Sequence, residues 1–248
     1  MKVIGIIPAR YSSTRLPGKP LKNIGGKTMI HRVYERVKQA KLLDDVIVAT
    51  DDQRILEEVE RFKGKAVMTS ENHPNGTSRI AEVVNNLNID IAINIQGDEP
   101  FIRYEMIDEL TKILMKNDNI PMATLCYELH DENKYKDENV VKVVCDVYGN
   151  ALYFSRSLIP FPRKKDINFK VYEHIGIYGY RKSFLLKFVK LKDTPLSAAE
   201  SLEQLKVLEY GYKLYVIKTK YDYNALSIDT QEDLEEAIRL IKDGRDIE

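Results

Sequence analysis

From the N-terminus to about residue 118, apolar positions switch repeatedly between two spacings. Short apolar runs at residues 2–8 (KVIGIIP), 45–50 (DVIVAT), 65–69 (KAVMT) and 90–96 (DIAINIQ) read as strands buried on both faces. Each is followed by a stripe at helical spacing. The stripes are Met29, Ile30, Val33, Tyr34 and Val37; Ile55, Leu56 and Val59; Ile80, Ala81, Val83, Val84 and Leu87; and Met106, Ile107, Leu110, Ile113 and Leu114. This alternation predicts an α/β fold: a doubly wound, mostly parallel sheet covered by helices on both sides.

The second half is less regular. ATLCYEL, VVKVVCD, ALYFSRS, HIGIYGYR and KLYVIKT are strand-like, with a hairpin turn expected at Gly149–Asn150. Residues 160–169 read as a loop, and residues 196–209 as one helix stopped by Gly211. Thr230-Gln-Glu-Asp fits the cap of a last helix, whose buried stripe is Leu234, Ala237, Ile238 and Ile241. Residues 1–248 are expected to form one domain, with the strands from about 121 to 181 making a small mixed subdomain on its flank.

Composition narrows the partners. Lys plus Arg and Asp plus Glu are each 38, so the formal charge is zero. A general nucleic-acid or anionic-membrane surface would need a basic excess, whereas a local basic pocket for a small anion would not. No apolar run approaches the ~20 residues that span a bilayer, and the first one is too short for a signal-peptide core. No membrane insertion is expected, and the expected location is the cytoplasm. Cys126 and Cys145 lie in apolar runs and fit reduced core thiols.

In an open parallel sheet, ligands bind beyond the carboxyl ends of the strands. After the first strand comes Pro8-Ala9-Arg10-Tyr11-Ser12-Ser13-Thr14-Arg15-Leu16-Pro17-Gly18-Lys19-Pro20, with three cations, three aliphatic hydroxyls and no acid. Those groups suit a polyphosphate; a solvated basic loop is the alternative. Neither a Walker A loop nor a dinucleotide fingerprint is present. After the second strand, Thr50-Asp51-Asp52 fits a helix N-cap. After the third, Thr69–Arg79 is a polar loop entering a helix, suited to an anion or a base edge, or simply to capping. After the fourth, Gln96-Gly97-Asp98-Glu99-Pro100 offers two acids for a hard cation such as Mg²⁺, or only an acidic turn. Cations for phosphates and acids for Mg²⁺, both at strand ends, suggest a nucleoside triphosphate site. Asp229, just before the last cap, is a second acid that would close the metal site, or is only a strand-end residue.

IIPARYSSTRLPGKPL, VATDD, NIQGDEP, VKVVCD with ALYFSRSLIP, HIGIYGYR and SLEQLKVLEYG, in that order, resemble the 3-deoxy-manno-octulosonate (Kdo) cytidylyltransferase family from residue 3 to about residue 240. PAR-x₄-RLPGKP alone indicates sugar nucleotidyltransferases broadly; the other motifs point to the Kdo branch. The resemblance implies a nucleotide-diphospho-sugar transferase-like fold, and CTP and Kdo as substrates giving CMP-Kdo and pyrophosphate for lipopolysaccharide biosynthesis. It also implies a homodimer, with the flanking strands at the interface and bordering the sugar-acid pocket. Arg10, Lys19 and Asp98 are the implied catalytic residues. Ala9, Arg10, Arg15, Lys19, Thr69, Ser70, Gly76 and Gln96 would bind the nucleotide. Gln96, Arg156, His174, Tyr178, Glu203 and Gln204 would bind the sugar acid, and Asp98 and Asp229 would carry Mg²⁺. The chain departs from the family pattern at Asn75, Ser78, Ser197 and Ser227. Close variants of Kdo, such as 8-amino-Kdo, nine-carbon acids of the sialic or legionaminic type, and a catalytically silent sugar-nucleotide binder therefore stand as alternatives.

Overall fold

Strand β1 (Val3–Ala9) is the axis of the sheet. It pairs in parallel with β4 (Asp45–Thr50) on one side and β6 (Ile91–Asn94) on the other. The computed structural model describes residues 1–12, 15–164, 167, 169–223 and 226–243. A two-residue hairpin, β2 (Asn23–Ile24) and β3 (Lys27–Thr28), stands apart from the main sheet. Beyond β4 lies the edge strand β5 (Ala66–Met68). On the other side of β6 comes β10 (Tyr172–Arg181), antiparallel to both neighbours, then β7 (Met122–Glu128), then β11 (Tyr215–Lys218), parallel to β7. The order is therefore β11-β7-β10-β6-β1-β4-β5. The strands of residues 121–181 divide: β7 and β10 belong to the central sheet, while β8 (Lys142–Cys145) and β9 (Ala151–Ser155) form a hairpin off its path. The hairpin turns at Gly149, whose φ of +87° glycine adopts without a Cβ clash.

Alternation along each strand sends successive side chains to two cores. Ile7, Val48, Ile93 and Leu125 face one, under α1 (Met29–Val37), α2 (Gln53–Arg61) and α4 (Tyr104–Lys116). Ile6, Ile47, Ala92 and Met122 face the other. This second core lies under α3 (Gly76–Asn85), α5 (Lys182–Phe188) and, past α6 (Pro195–Glu200), α7 (Leu205–Glu209). Both faces are covered, as the unbroken apolar strands require. The helix expected over 196–209 is broken in two. Ser201 takes a left-handed conformation (φ 53°) that ends α6, and the Glu209 carboxylate of α7 accepts hydrogen bonds from the amides of Leu196 and Ser197 at the start of α6. The last helix, α8 (Gln231–Lys242), begins at Thr230 with the expected cap: the Thr230 hydroxyl accepts from the Asp233 amide, and the Asp233 carboxylate accepts from the Thr230 amide.

Close approach fixes one glycine. A Cβ at Gly179 of β10 would stand 2.3 Å from Leu114 and 3.1 Å from Ile93, both wholly buried. Gly179→Ala therefore overpacks the β10–α4 contact and is expected to cost about 1–3 kcal/mol. The urea midpoint should fall with the m-value unchanged; an unshifted midpoint would show that this interface has slack.

Candidate active site

The order of strands reverses at β1: the chain first builds outward through β4 and β5, then returns to place β6 on the opposite side. The loops after β1 and β6 diverge there, leaving a crevice at the carboxyl ends of the strands. A cavity of about 350 Å³ occupies it. Its walls include Ala9, Arg10, Arg15 and Lys19 after β1, Asn75 and Gly76 at the start of α3, Gln96 and Asp98 after β6, and Asp229 before α8. Ser13 and Thr14, two of the three hydroxyls of the first loop, lie outside the described residues.

The basic loop is held by its own contacts. The Gly18 amide donates to the Tyr11 carbonyl at 3.1 Å, and Gly18 itself has φ +67° against the Tyr11 ring. The Arg54 guanidinium lies 3.4 Å over that ring's centre. Lys19, next in the chain, donates to Asp98 Oδ2 at 2.6 Å and to Asp229 Oδ1 at 3.0 Å. Arg15 pairs with Asp229 Oδ2 at 3.0 Å. The two acids are set by the backbone. The Ile228 amide donates to the Asp98 carbonyl at 3.0 Å, and the Asp229 amide donates to Asp233 Oδ2 at 2.9 Å. Gly97 lets the β6 loop close on β1, since a Cβ there would stand 2.8 Å from the Pro8 carbonyl oxygen.

The third loop is fixed by ion pairs that sequence spacing did not reveal. Asp52 caps α2, as expected of this position. Its neighbour Asp51 instead pairs at 2.5 Å with Arg79, which is almost wholly buried and also bonds Thr69 and the Ser70 carbonyl. Thr69 and Ser70 thus hold Arg79 and are not among the cavity walls. Arg79 and His73 are. His73 pairs with Glu82, whose carboxyl that contact holds below the usual range. The one sequence signal for Arg79 was its place in the first turn of a helix following a strand end.

Apart from Gln96, the residues expected to bind the sugar acid lie outside the cavity walls, on β10 and around α6 and α7. β6 stops at Asn94, which pairs with Tyr178. Because β10 runs the other way, its residues from Tyr172 to Ile177 project past the end of β6, beside Gln96, whose Nε2 donates to the Gly176 carbonyl at 3.4 Å. A bulge between Ile175 and Tyr178 is stitched by the Thr124 hydroxyl, 2.7 Å from the Ile177 carbonyl. With that proton spent, His174 Nε2, 3.0 Å from the same hydroxyl, is the donor to it. His174 packs between Phe154 and Tyr178. Burial lowers its pKa to about 3, and burial raises that of Tyr178. Glu203 accepts from Asn75 Nδ2 at 3.0 Å and Thr77 Oγ1 at 2.8 Å, tying the cavity's α3 wall to the turn before α7. Gln204 beside it is buried. Arg156 donates from Nε to the Glu200 carbonyl and from Nη1 to the Glu138 carbonyl. Of the departing positions, Asn75 alone lines the cavity. Glu99 is buried, and its Oε2 has no hydrogen-bond partner among the described residues. Burial and the charges of Asp98 and Glu173 raise its pKa to about 8.

Among the described residues no three His, Cys, Asp or Glu side chains converge as a metal cluster. Asp98 and Asp229 do converge, on one ammonium. Two protein carboxylates, with the remaining positions left to phosphate and water, is the donor set Mg²⁺ prefers; the residues fit it.

Cations and acids facing each other across the switch point of this sheet are the apparatus of a nucleotidyltransferase, and the comparisons agree. The family model described as cytidylyltransferase matches residues 4–246. A 3-deoxy-manno-octulosonate cytidylyltransferase of Fusobacterium nucleatum is 54% identical over 245 residues, covering 98% of each chain. One from Thermodesulfovibrio yellowstonii is 52% identical, covering 96% of this chain and 97% of its own. The solved structure of CMP:2-keto-3-deoxy-manno-octonic acid synthetase complexed with CTP superposes with a TM-score of 0.93 at 40% identity, covering 98% of this chain and 100% of that one. The chain belongs to the cytidylyltransferase family, in its 3-deoxy-manno-octulosonate branch. No helix among the described residues is long and apolar enough to cross a membrane.

A histidine that folds neutral binds fewer protons than its unfolded counterpart between pH about 3 and about 6.5, so its contribution to stability is present above that window and lost as pH falls through it. His174→Gln should flatten the acid side of the stability curve over this range, read from urea midpoints at several pH values. An unchanged slope would mean that His174 is solvated.

Proposed function

We propose that the protein couples CTP to 3-deoxy-manno-octulosonate, giving CMP-Kdo and pyrophosphate. The observation that carries this reading is the single crevice in which Arg10, Arg15 and Lys19 stand opposite Asp98 and Asp229. The near-full-length relatives supply the identity of the substrates.

The anomeric hydroxyl of the sugar acid attacks the α-phosphorus, and pyrophosphate leaves. Arg10, Arg15 and Lys19 neutralise the triphosphate and the charge that builds on the departing pyrophosphate, which lowers the barrier where charge develops. Arg10 is exposed at the cavity edge and makes no ion pair among the described residues, so it is available to phosphate oxygens. Gly76 opens the α3 terminus to close approach, and Ala9 and the stretch from His73 to Gly76 border the nucleoside, with Thr69 and Ser70 supporting that wall through Arg79. Gln96, bonded to the bulged strand, stands between the nucleotide side and the β10 side. His174, Tyr178, Glu203, Gln204 and Arg156 border the acceptor, with the Arg156 guanidinium suited to its carboxylate. Asp98 and Asp229 are the residues that would hold Mg²⁺, which when bound supplies charge to phosphate oxygens and lowers the pKa of the attacking hydroxyl.

We also propose that two copies pair through the β8–β9 hairpin and the loop that follows. Val147, Tyr148 and Phe161 there are 94%, 79% and 81% exposed, and Leu152 is 61% exposed. Large apolar side chains left this bare on the hairpin and the loop after it fit an interface with a second copy. The reading places the reaction in the cytoplasm and its product in lipopolysaccharide biosynthesis.

Asp98→Asn is expected to keep the fold and lower turnover by ~10² or more, because a metal ligand acts mainly in the transition state. Pyrophosphate release with CTP and Kdo measures this, and near-normal release would remove Asp98 from the metal site. Replacing CTP by UTP or ATP, or Kdo by 8-amino-Kdo or N-acetylneuraminate, should each give slower release; a faster rate with any of them reassigns that substrate. Val147→Glu combined with Phe161→Glu should convert a dimer to a monomer in light scattering, whereas an unchanged mass would place the interface elsewhere.

A further inference from the structure

We infer that the Lys19 ammonium is a built-in competitor for the cation site, so that metal and nucleotide bind cooperatively and the free protein takes up divalent cations poorly. The inference rests on the Mg²⁺ reading above and concerns how Lys19 governs entry to that site.

The geometry is specific. Lys19 Nζ is 2.6 Å from Asp98 Oδ2 and 3.0 Å from Asp229 Oδ1, so it lies where an ion held by both carboxylates would lie. The Lys19 side chain is only 14% exposed, against 66% for Arg15, which flanks the same Asp229. Two cations thus answer the two acids, and both carboxylates already have cationic partners.

The two sides differ in how firmly they are held. The acids are fixed by backbone hydrogen bonds, from Ile228 to the Asp98 carbonyl and from the Asp229 amide to Asp233. Lys19 reaches them on a flexible four-carbon stem from the start of a 3₁₀ turn (Lys19–Leu21), just after the positive-φ Gly18. A triphosphate entering beside Arg10 offers Lys19 a denser anion. Turning Lys19 and Arg15 toward it frees both carboxylates at the moment a metal–nucleotide pair needs them. Each ligand then binds more tightly in the presence of the other, by the same factor.

The test is direct metal binding, with Mn²⁺ as an EPR-visible substitute for Mg²⁺ and no turnover involved. Without nucleotide, Lys19→Met should bind Mn²⁺ at least ~10-fold more tightly than wild type, in the usual range of coupling between sites. Lys19→Gln carries the same expectation should the methionine variant fail to fold. Adding Asp98→Asn to either variant should abolish the gain. Equal affinity in wild type and a folded Lys19 variant overturns the inference, as does a gain that survives Asp98→Asn, because the ion would then sit elsewhere. CTP-loaded wild type separates the two readings. If it holds Mn²⁺ in an Asp98-dependent way while the Lys19 variants show no gain, the metal site stands and the competition falls. If it holds none, the metal site falls and takes this inference with it.

Discussion

One ammonium joins three distant parts of the chain. Lys19 bridges to Asp98, 79 residues on, and to Asp229, 210 residues on. Both contacts are long-range: Asp98 follows the end of β6, and Asp229 stands just before the Thr230 cap of α8. The cluster therefore depends on the order of strands, with β1 and β6 side by side and the chain departing in opposite directions around them. The switch point separates the loops and opens the crevice, while the charges decide what can occupy it. The glycines at the crevice serve the same end: Gly97 lets one loop touch the other, and Gly18 turns the basic loop back upon Tyr11.

Much of this was legible in the residues. The four apolar runs and their following stripes gave the parallel half of the sheet, since a strand buried on both faces leaves an unbroken hydrophobic record. The Thr230–Asp233 box appeared where its residue types predicted it, and with it the position of Asp229. The basic and acidic loops were also readable as strand-end loops of opposite charge, and both line the crevice.

What escaped the sequence depended on contacts between remote segments. Nothing in HIGIYGYR says that this strand lies between β6 and β7 rather than on a flank, because an apolar strand pattern does not name its neighbours. Asp51 and Asp52 look alike in sequence, yet one caps a helix and the other meets Arg79 across the sheet. The break at Ser201 was hidden because the carboxylate that bonds the amides starting the first of the two helices comes from the second, at Glu209.

The antiparallel course of β10 has a consequence for how such an enzyme can diversify. A parallel strand would present only its last residues and a loop at this end of the sheet. β10 instead runs a further six residues, Tyr172 to Ile177, past the end of β6 while Tyr172 to Ile175 stay paired with β7, kinked by its bulge and braced by the Thr124 hydroxyl. That stretch is stiff because β7 and the Thr124 hydroxyl hold it and Ile175 and Ile177 anchor it in the core, whereas Tyr172, Glu173 and His174 are only partly buried. Those partly buried positions can therefore vary with little effect on the parallel strands that carry the charged crevice, within one undivided sheet.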